Sequence, residues 1–140
     1  GHDPFKVLTF YYQLFMKNRR AGAKFVGHNA WFFDAVMFSH ILEETTDLVW
    51  EFKPDEIFDT GAMFKAMRGD LAPYPDERSL KEYFLRVKNA YMKGVKWNVE
   101  ACIAHFDLVN KYNLDTDELH GAKSDSYVAH LLFEEHRVGN

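Results

Sequence analysis

The chain has 140 residues, of which 47% are hydrophobic and 16% aromatic, and its formal net charge is −4. This length and composition favour one folded domain with a single core over a disordered segment. The negative charge argues against a protein whose whole surface binds nucleic acid, although it leaves room for a local basic patch.

The only cysteine is Cys102, so an internal disulfide is excluded and a zinc site built from cysteines is not expected. We expect this cysteine in the core, and it is compatible with a reducing compartment. No apolar run approaches the roughly 18 residues that a transmembrane helix needs, so no membrane partner is expected.

The first half of the chain predicts three helices and two strands. Residues 5–17 carry apolar side chains at helical spacing and lead into a basic cluster, which predicts an amphipathic helix. Residues 23–27 and 56–59 are short and rich in β-formers, which predicts two strands. Helices are predicted over residues 31–43 and from Thr60 to about residue 68, with Thr60 as a candidate cap.

An aromatic run opens the second predicted helix, and one acid interrupts it. Five apolar side chains are expected in the core: Phe32, Phe33, Val36, Met37 and Phe38. Asp34 lies among them and therefore needs water, a polar partner or a metal.

The second half of the chain predicts a loop over residues 69–75 and helices over 98–111 and 124–135. Between them, residues 78–96 hold six cations and a single acid, Glu82. This stretch is either a track for nucleic-acid phosphates or a solvated helix and loop face. Because helices alternate with short strands, we predict an α/β layered fold, although two strands are too few for an independent sheet.

Ionisable side chains stand where predicted strands and helices begin or end. Asp34 begins a helix, Asp59 ends a strand, and His120 and Asp125 stand at the entrance to the last helix. Carboxylates and a histidine at one sheet edge would suit a divalent metal and water activation. For Asp59, capping of the next helix is the favoured role. For Asp34, the alternative is a carboxylate balancing the helix dipole, and for His120 with Asp125 it is a surface pair.

Three segments resemble one enzyme family when taken in order. GHNAWFFD, residues 27–34, resembles the second motif of the DEDD-type 3′→5′ exonucleases, and HGAKSDSYVAHLL, residues 120–132, resembles their third motif. FDTGAMF, residues 58–64, is similar to the segment that ribonuclease T and the proofreading subunits carry between them. The resemblance implies an RNase H-like α/β fold and metal-dependent hydrolysis at the 3′ end of DNA or RNA.

The resemblance also implies roles for individual residues. Asp34 and Asp125 would bind two Mg²⁺ or Mn²⁺ ions, and His120 would act as the general base, since the pKa of histidine is about 6.5. Asn29 and the Phe32–Phe33 pair would shape a pocket for the terminal nucleotide. His28 is either a further substrate contact or a hydrogen-bonded turn residue.

Two features depart from the family pattern. One extra aromatic residue separates Asn29 from Asp34, and the family's first motif, Asp-x-Glu, occurs nowhere in the 140 residues. We therefore interpret residues 1–140 as the C-terminal part of one exonuclease domain, without its N-terminal three-stranded meander. The missing ligands are expected from an N-terminal segment or a partner chain, a homodimer included, and the chain alone is expected to be inactive.

The alternative is a remnant that has lost catalysis and serves as a nucleic-acid-binding or protein-interaction module. For either function we expect the protein in the cytoplasm, the nucleoid or the nucleus.

Overall fold

A computed structural model describes residues 3–119 and 122–138, and of residues 122–124 it describes the backbone only. In chain order the elements are α1 (Pro4–Arg20), β1 (Phe25–Gly27), α2 (Asp34–Thr46), β2 (Ile57–Asp59), α3 (Thr60–Gly69), α4 (Leu80–Asn89), α5 (Val99–Phe106), α6 (Leu108–Lys111), a 3₁₀ helix (Thr116–Glu118) and α7 (Ala122–Val138). Among these described elements no helix combines the length and the apolar content needed to cross a bilayer.

The two strands are parallel and are joined through α2. Their register pairs Phe25 with Ile57, Val26 with Phe58 and Gly27 with Asp59. Residues alternate between the two edges of a parallel strand, so the N–H and C=O of Val26 point away from β2. Within the described residues no third strand pairs with this edge. The described residues are mostly helical with two parallel strands, so the α/β class and the RNase H-like topology both stay predictions.

Two helices, α1 and α3, begin directly after an aspartate that caps them. The Asp3 carboxylate accepts a hydrogen bond from the Phe5 amide at 3.0 Å and so caps α1. Asp59 caps α3 by accepting from the amides of Gly61 and Ala62. The role favoured for Asp59 is therefore confirmed, and Asp59 rather than Thr60 is the cap.

Two predicted helices have different bounds in the structure. The second begins at Asp34 rather than at Trp31, because Phe33 has non-helical dihedral angles, φ −133° and ψ −71°, and the Ala35 amide donates to the carbonyl of Ala30, five residues back. The helix predicted over residues 98–111 is divided into α5 and α6. Its break lies at Asp107, whose φ of 52° is left-handed and cannot continue a helix.

Two clusters of buried side chains form the core. One joins α2, the sheet, α3 and α4 around Trp31, Ile57, Phe84 and Val87. The other joins α3, α5, α6 and α7 around Phe64, Cys102, Leu108 and Leu132. Cys102 is fully buried, as predicted, and burial raises the pKa of its thiol to about 12.

The core prediction for the aromatic run was wrong for three of its five residues. Phe33 and Val36 are each 62% exposed and Met37 is 45% exposed. Because α2 begins at residue 34, its buried face is formed by Ala35 and Leu42, and the opposite face meets solvent. Phe32 and Phe38 are partly buried.

Candidate functional site

A buried carboxylate holds together the ends of both strands. Asp59 is 1% exposed, and one of its oxygens accepts from the amides of Asn29 at 2.8 Å, Gly61 at 3.0 Å and Ala62 at 3.1 Å. Its other oxygen lies 3.4 Å from the Trp31 amide. Four N–H groups therefore share one carboxylate, which replaces the water that it loses on burial. Asp59 is thus a positioning residue for the turn that leads to Asp34, a role that the sequence analysis missed.

The turn from residue 28 to residue 29 is fixed by two further contacts. Nε2–H of His28 donates to the Trp97 carbonyl at 2.7 Å, since a carbonyl only accepts, and Nδ1 of His28 is hydrogen-bonded to the Thr60 hydroxyl at 2.9 Å. Both ring nitrogens have protein partners, so a substrate contact by His28 would use the carbon edge of the ring.

Asn29 packs against the start of α3. A Cβ atom on Gly61 would lie 2.1 Å from Oδ1 of Asn29, a distance that no side chain tolerates. The missing side chain at Gly61 therefore leaves the space that the Asn29 side chain occupies, and the turn depends on both residues.

Two of the predicted metal ligands reach the same cavity. Its volume is about 570 Å³, and Asp34 from α2 and Asp125 from the first turn of α7 both line it. Aromatic side chains of α1 and α2 and the exposed Val26 of β1 are among the other residues that line it. The structure thus brings together two carboxylates that lie far apart in the sequence.

The electrostatics of this cavity are those of an uncompensated acidic cluster. Desolvation raises the pKa of Asp34, and the negative charges of Asp59 and Asp125 raise it further. Carboxylate oxygens suit Mg²⁺ or Mn²⁺ by donor type, and a cation would reverse this repulsion. However, among the residues that the structure describes, no three His, Cys, Asp or Glu side chains are grouped to hold a metal. Asp34 and Asp125 therefore fit part of a metal site and do not complete it.

The remaining predicted site residues do not all lie at this cavity. His120 lies outside the described residues. Asn29 lines a second cavity of about 690 Å³, to which His28, Asn98 and Asp125 also contribute. Phe32 and Phe33 line neither of these two cavities.

The two phenylalanines have different surroundings. The ring of Phe32 lies under Lys88, whose Nζ is 4.3 Å from the ring centroid, whereas Phe33 extends into solvent. The pocket predicted from Asn29 together with both phenylalanines is therefore not assembled as one cavity in this structure.

Comparisons of the chain with protein-family models, curated proteins and solved structures give no match. The function of this chain has to be argued from its residues and their geometry.

Proposed function

We propose that this chain is part of a metal-dependent 3′→5′ exonuclease domain that hydrolyses phosphodiester bonds at the 3′ end of single-stranded DNA or RNA. The observation that carries the proposal is the cavity that Asp34 and Asp125 share, in which desolvation and then the negative charges of Asp59 and Asp125 raise the pKa of Asp34. Carboxylates that repel each other at an open cavity are typical of sites that await a cation or a proton. Of these two alternatives, the resemblance to the exonuclease motifs favours a metal cation over a proton.

In this proposal the protein residues have distinct tasks. Asp34 and Asp125 would hold Mg²⁺ or Mn²⁺, which supplies Lewis-acid stabilisation of the attacking and leaving oxygens. Asp59 keeps the turn before Asp34 in place through four backbone amides. His120 would accept the proton of the attacking water, the role that the resemblance implies.

The donor set needs completion from outside the described residues. Asp34 and Asp125 would be two of the four acidic ligands of a two-metal site, since the family's first motif, Asp-x-Glu, supplies two more, and two carboxylates alone would hold a pair of divalent ions weakly. The free edge of β1 at Val26 is where an added strand could supply more, since it lies beside the cavity of Asp34 and Asp125. That strand would come from an N-terminal segment or from a partner chain, a second copy included.

A nuclease assay tests the proposal. Single-stranded DNA and RNA with 3′ labels are incubated with the 140-residue chain, and with a form extended by the sequence encoded ahead of Gly1, each with and without Mg²⁺. We expect little or no trimming by the 140-residue chain and metal-dependent trimming by the extended form.

In the extended form, Asp34→Asn, Asp125→Asn and His120→Ala should each abolish trimming, and Asp76→Asn, at an exposed loop acid, should not. Trimming that survives Asp34→Asn and Asp125→Asn would refute the proposed site. Metal-dependent trimming by the 140-residue chain itself would refute the view that its donor set is incomplete.

A second candidate function is a protein-interaction or nucleic-acid-binding module without catalysis. It is favoured by large apolar side chains that are exposed along α1, β1 and α2, among them Phe10 at 59%, Phe33 at 62% and Val36 at 62%. Exposed apolar surface of this kind is typical of a surface that another chain covers. An extended form that binds an oligonucleotide or a partner protein but never cleaves with Mg²⁺ or Mn²⁺ would support this function.

A further inference from the structure

The second half of α4 and the loop that joins it to α5 concentrate positive charge in an acidic protein. Residues 83–99 contain no Asp or Glu, although the chain as a whole carries 21 acids against 17 Lys and Arg. Arg86 in this segment is neutralised by Glu77, with Nε to Oε2 at 2.8 Å. Lys88, Lys93 and Lys96 are exposed, and none has a carboxylate partner among the described residues.

An aromatic ring stands in the middle of these lysines. Tyr91 is 88% exposed, more than any other large apolar side chain described. A tyrosine ring left almost wholly in water gains nothing from the core of its own protein. Its position between unpaired cations suggests a ligand that has both flat rings and negative charge.

Hydrogen bonds hold the backbone at both ends of this loop. Nζ of the buried Lys65 donates to the carbonyls of Lys88 at 2.7 Å and Ala90 at 2.5 Å, and it lies 4.3 Å from the ring centroid of Trp97. The Trp97 carbonyl in turn accepts from His28. Anchored ends reduce the ordering that binding requires.

We propose that the α4–α5 loop binds single-stranded nucleic acid, with Tyr91 stacking on a base and Lys88, Lys93 and Lys96 contacting phosphates. We call these four residues the lysine–tyrosine loop. A sequence-tolerant single-strand site combines these two features, a positive surface and an aromatic platform. Duplex nucleic acid fits less well, because its bases are stacked and offer no free face to Tyr91.

The loop leads directly to the candidate site at both of its ends. At one end Lys88 lies over Phe32, two residues before Asp34. At the other end Trp97 is bonded to His28, and the next residue, Asn98, lines the cavity that Asp125 also lines. A strand held by the loop would thus reach the carboxylates. The proposal deepens the exonuclease function by naming its binding surface, but binding itself requires neither metal nor hydrolysis.

Fluorescence anisotropy with labelled oligo-dT and oligo-rU, in EDTA so that cleavage is absent, tests the stacking contact. Tyr91→Ala is expected to weaken binding by about 10- to 100-fold, and Tyr91→Phe to retain it. Heparin, which has negative charge but no bases, should bind the wild type and Tyr91→Ala equally. Val49→Ala truncates an exposed apolar side chain between α2 and β2 and should change nothing.

The phosphate contacts are tested by salt dependence. Replacing Lys88, Lys93 and Lys96 by Gln should reduce the slope of log K against log salt by about 2, at about 0.7 per phosphate contact. The matched control replaces Lys6, Lys17 and Lys24 by Gln. These lysines are also exposed, and the control removes the same charge. Equal effects of the two triple variants would overturn the proposal, because they would reflect net charge alone.

Three other results would overturn it: no oligonucleotide binding by the wild type, unchanged binding by Tyr91→Ala, or an equal loss of heparin binding by that variant. Loss of cleavage in the extended form with intact binding in EDTA would count against the nuclease function alone. The two proposals therefore fail separately.

Discussion

Two aspartates in the same neighbourhood have opposite surroundings. Asp59 is buried, yet four backbone amides surround it, so its charge is fully solvated by the protein. Asp34 is exposed, no described donor bonds to its carboxylate, and neighbouring acids raise its pKa. The junction of strands around Asp59 is thus built for stability, whereas the cavity at Asp34 and Asp125 carries a repulsion that only a ligand would relieve. The four changes below test this contrast.

The largest effect is expected for Asp59→Ala. The change leaves four buried or partly buried amides without their acceptor, and we expect a loss of unfolding free energy of about 3 kcal/mol or more. Urea denaturation followed by circular dichroism measures it. Asp76→Ala, at an exposed loop position, is the control and should stay within about 0.5 kcal/mol of the wild type. A loss below 1 kcal/mol at position 59 would contradict the role of this carboxylate.

Gly61→Ala is expected to come next, at about 1–3 kcal/mol, because the new methyl group collides with the Asn29 side chain. The double variant Asn29→Gly with Gly61→Ala removes the colliding carboxamide and should recover much of the loss. The same denaturation measurement gives the coupling energy. Additive losses in the double variant would mean that the collision is not the cause.

A smaller effect concerns pH. His136 on α7 is buried beside Thr60, and desolvation lowers its pKa below 6.5 in the folded state. The unfolded chain therefore binds the proton more readily, so this contribution to stability is present above pH 6.5 and is lost as the pH falls below it. We expect the unfolding free energy to decrease between pH 7 and pH 5, by at most about 1.4 kcal/mol per pH unit.

His136→Gln tests the assignment, since glutamine does not titrate. It should flatten the pH dependence in this window, and His40→Gln, at an exposed position on α2, should not. If both variants keep the wild-type slope, another group is responsible.

The smallest effect, and the one of opposite sign, is expected for Asp34→Asn. Because the pKa of Asp34 is raised, its ionised form opposes folding once the pH exceeds that pKa. Asparagine removes this repulsion, and we expect a slight rise in Tm at pH 7, on the order of 1 °C since the group is exposed. Asp34→Asn in an Asp125→Asn background should give a smaller rise. A clear fall in Tm in calorimetry would show that Asp34 is a structural carboxylate.

Local signals in the sequence predicted much of the fold. Both strands, the cap at Asp59 and the burial of Cys102 follow from β-propensity, short-range capping and hydrophobicity. The left-handed conformations of Asn29 and Asp107 were not predicted, because residues other than glycine adopt them seldom, and at Asn29 the conformation depends on Asp59, which is remote in sequence. Phe33 is exposed because it precedes α2 as its N-cap instead of lying within the helix.

The site shows the same division. The resemblance of residues 27–34 and 120–132 to two exonuclease motifs predicted that Asp34 and Asp125 lie at one site, and both line one cavity. The clamp by Asp59 and the anchoring of Lys65 depend on amides and carbonyls of remote segments, which composition does not reveal. A signal was present nonetheless, since an acid directly after a strand and beside an Asn-containing turn has unpaired amides within reach.

Nothing described covers the outward-facing amide and carbonyl of Val26, and this matters during synthesis and purification. An unpaired strand edge next to helices with exposed apolar side chains is a template for aggregation of newly synthesised chains. In the proposed function, a strand that paired with this edge would therefore also reduce aggregation. Substitutions that weaken the pairing of that strand would then lower the yield of soluble protein before they lower nuclease activity.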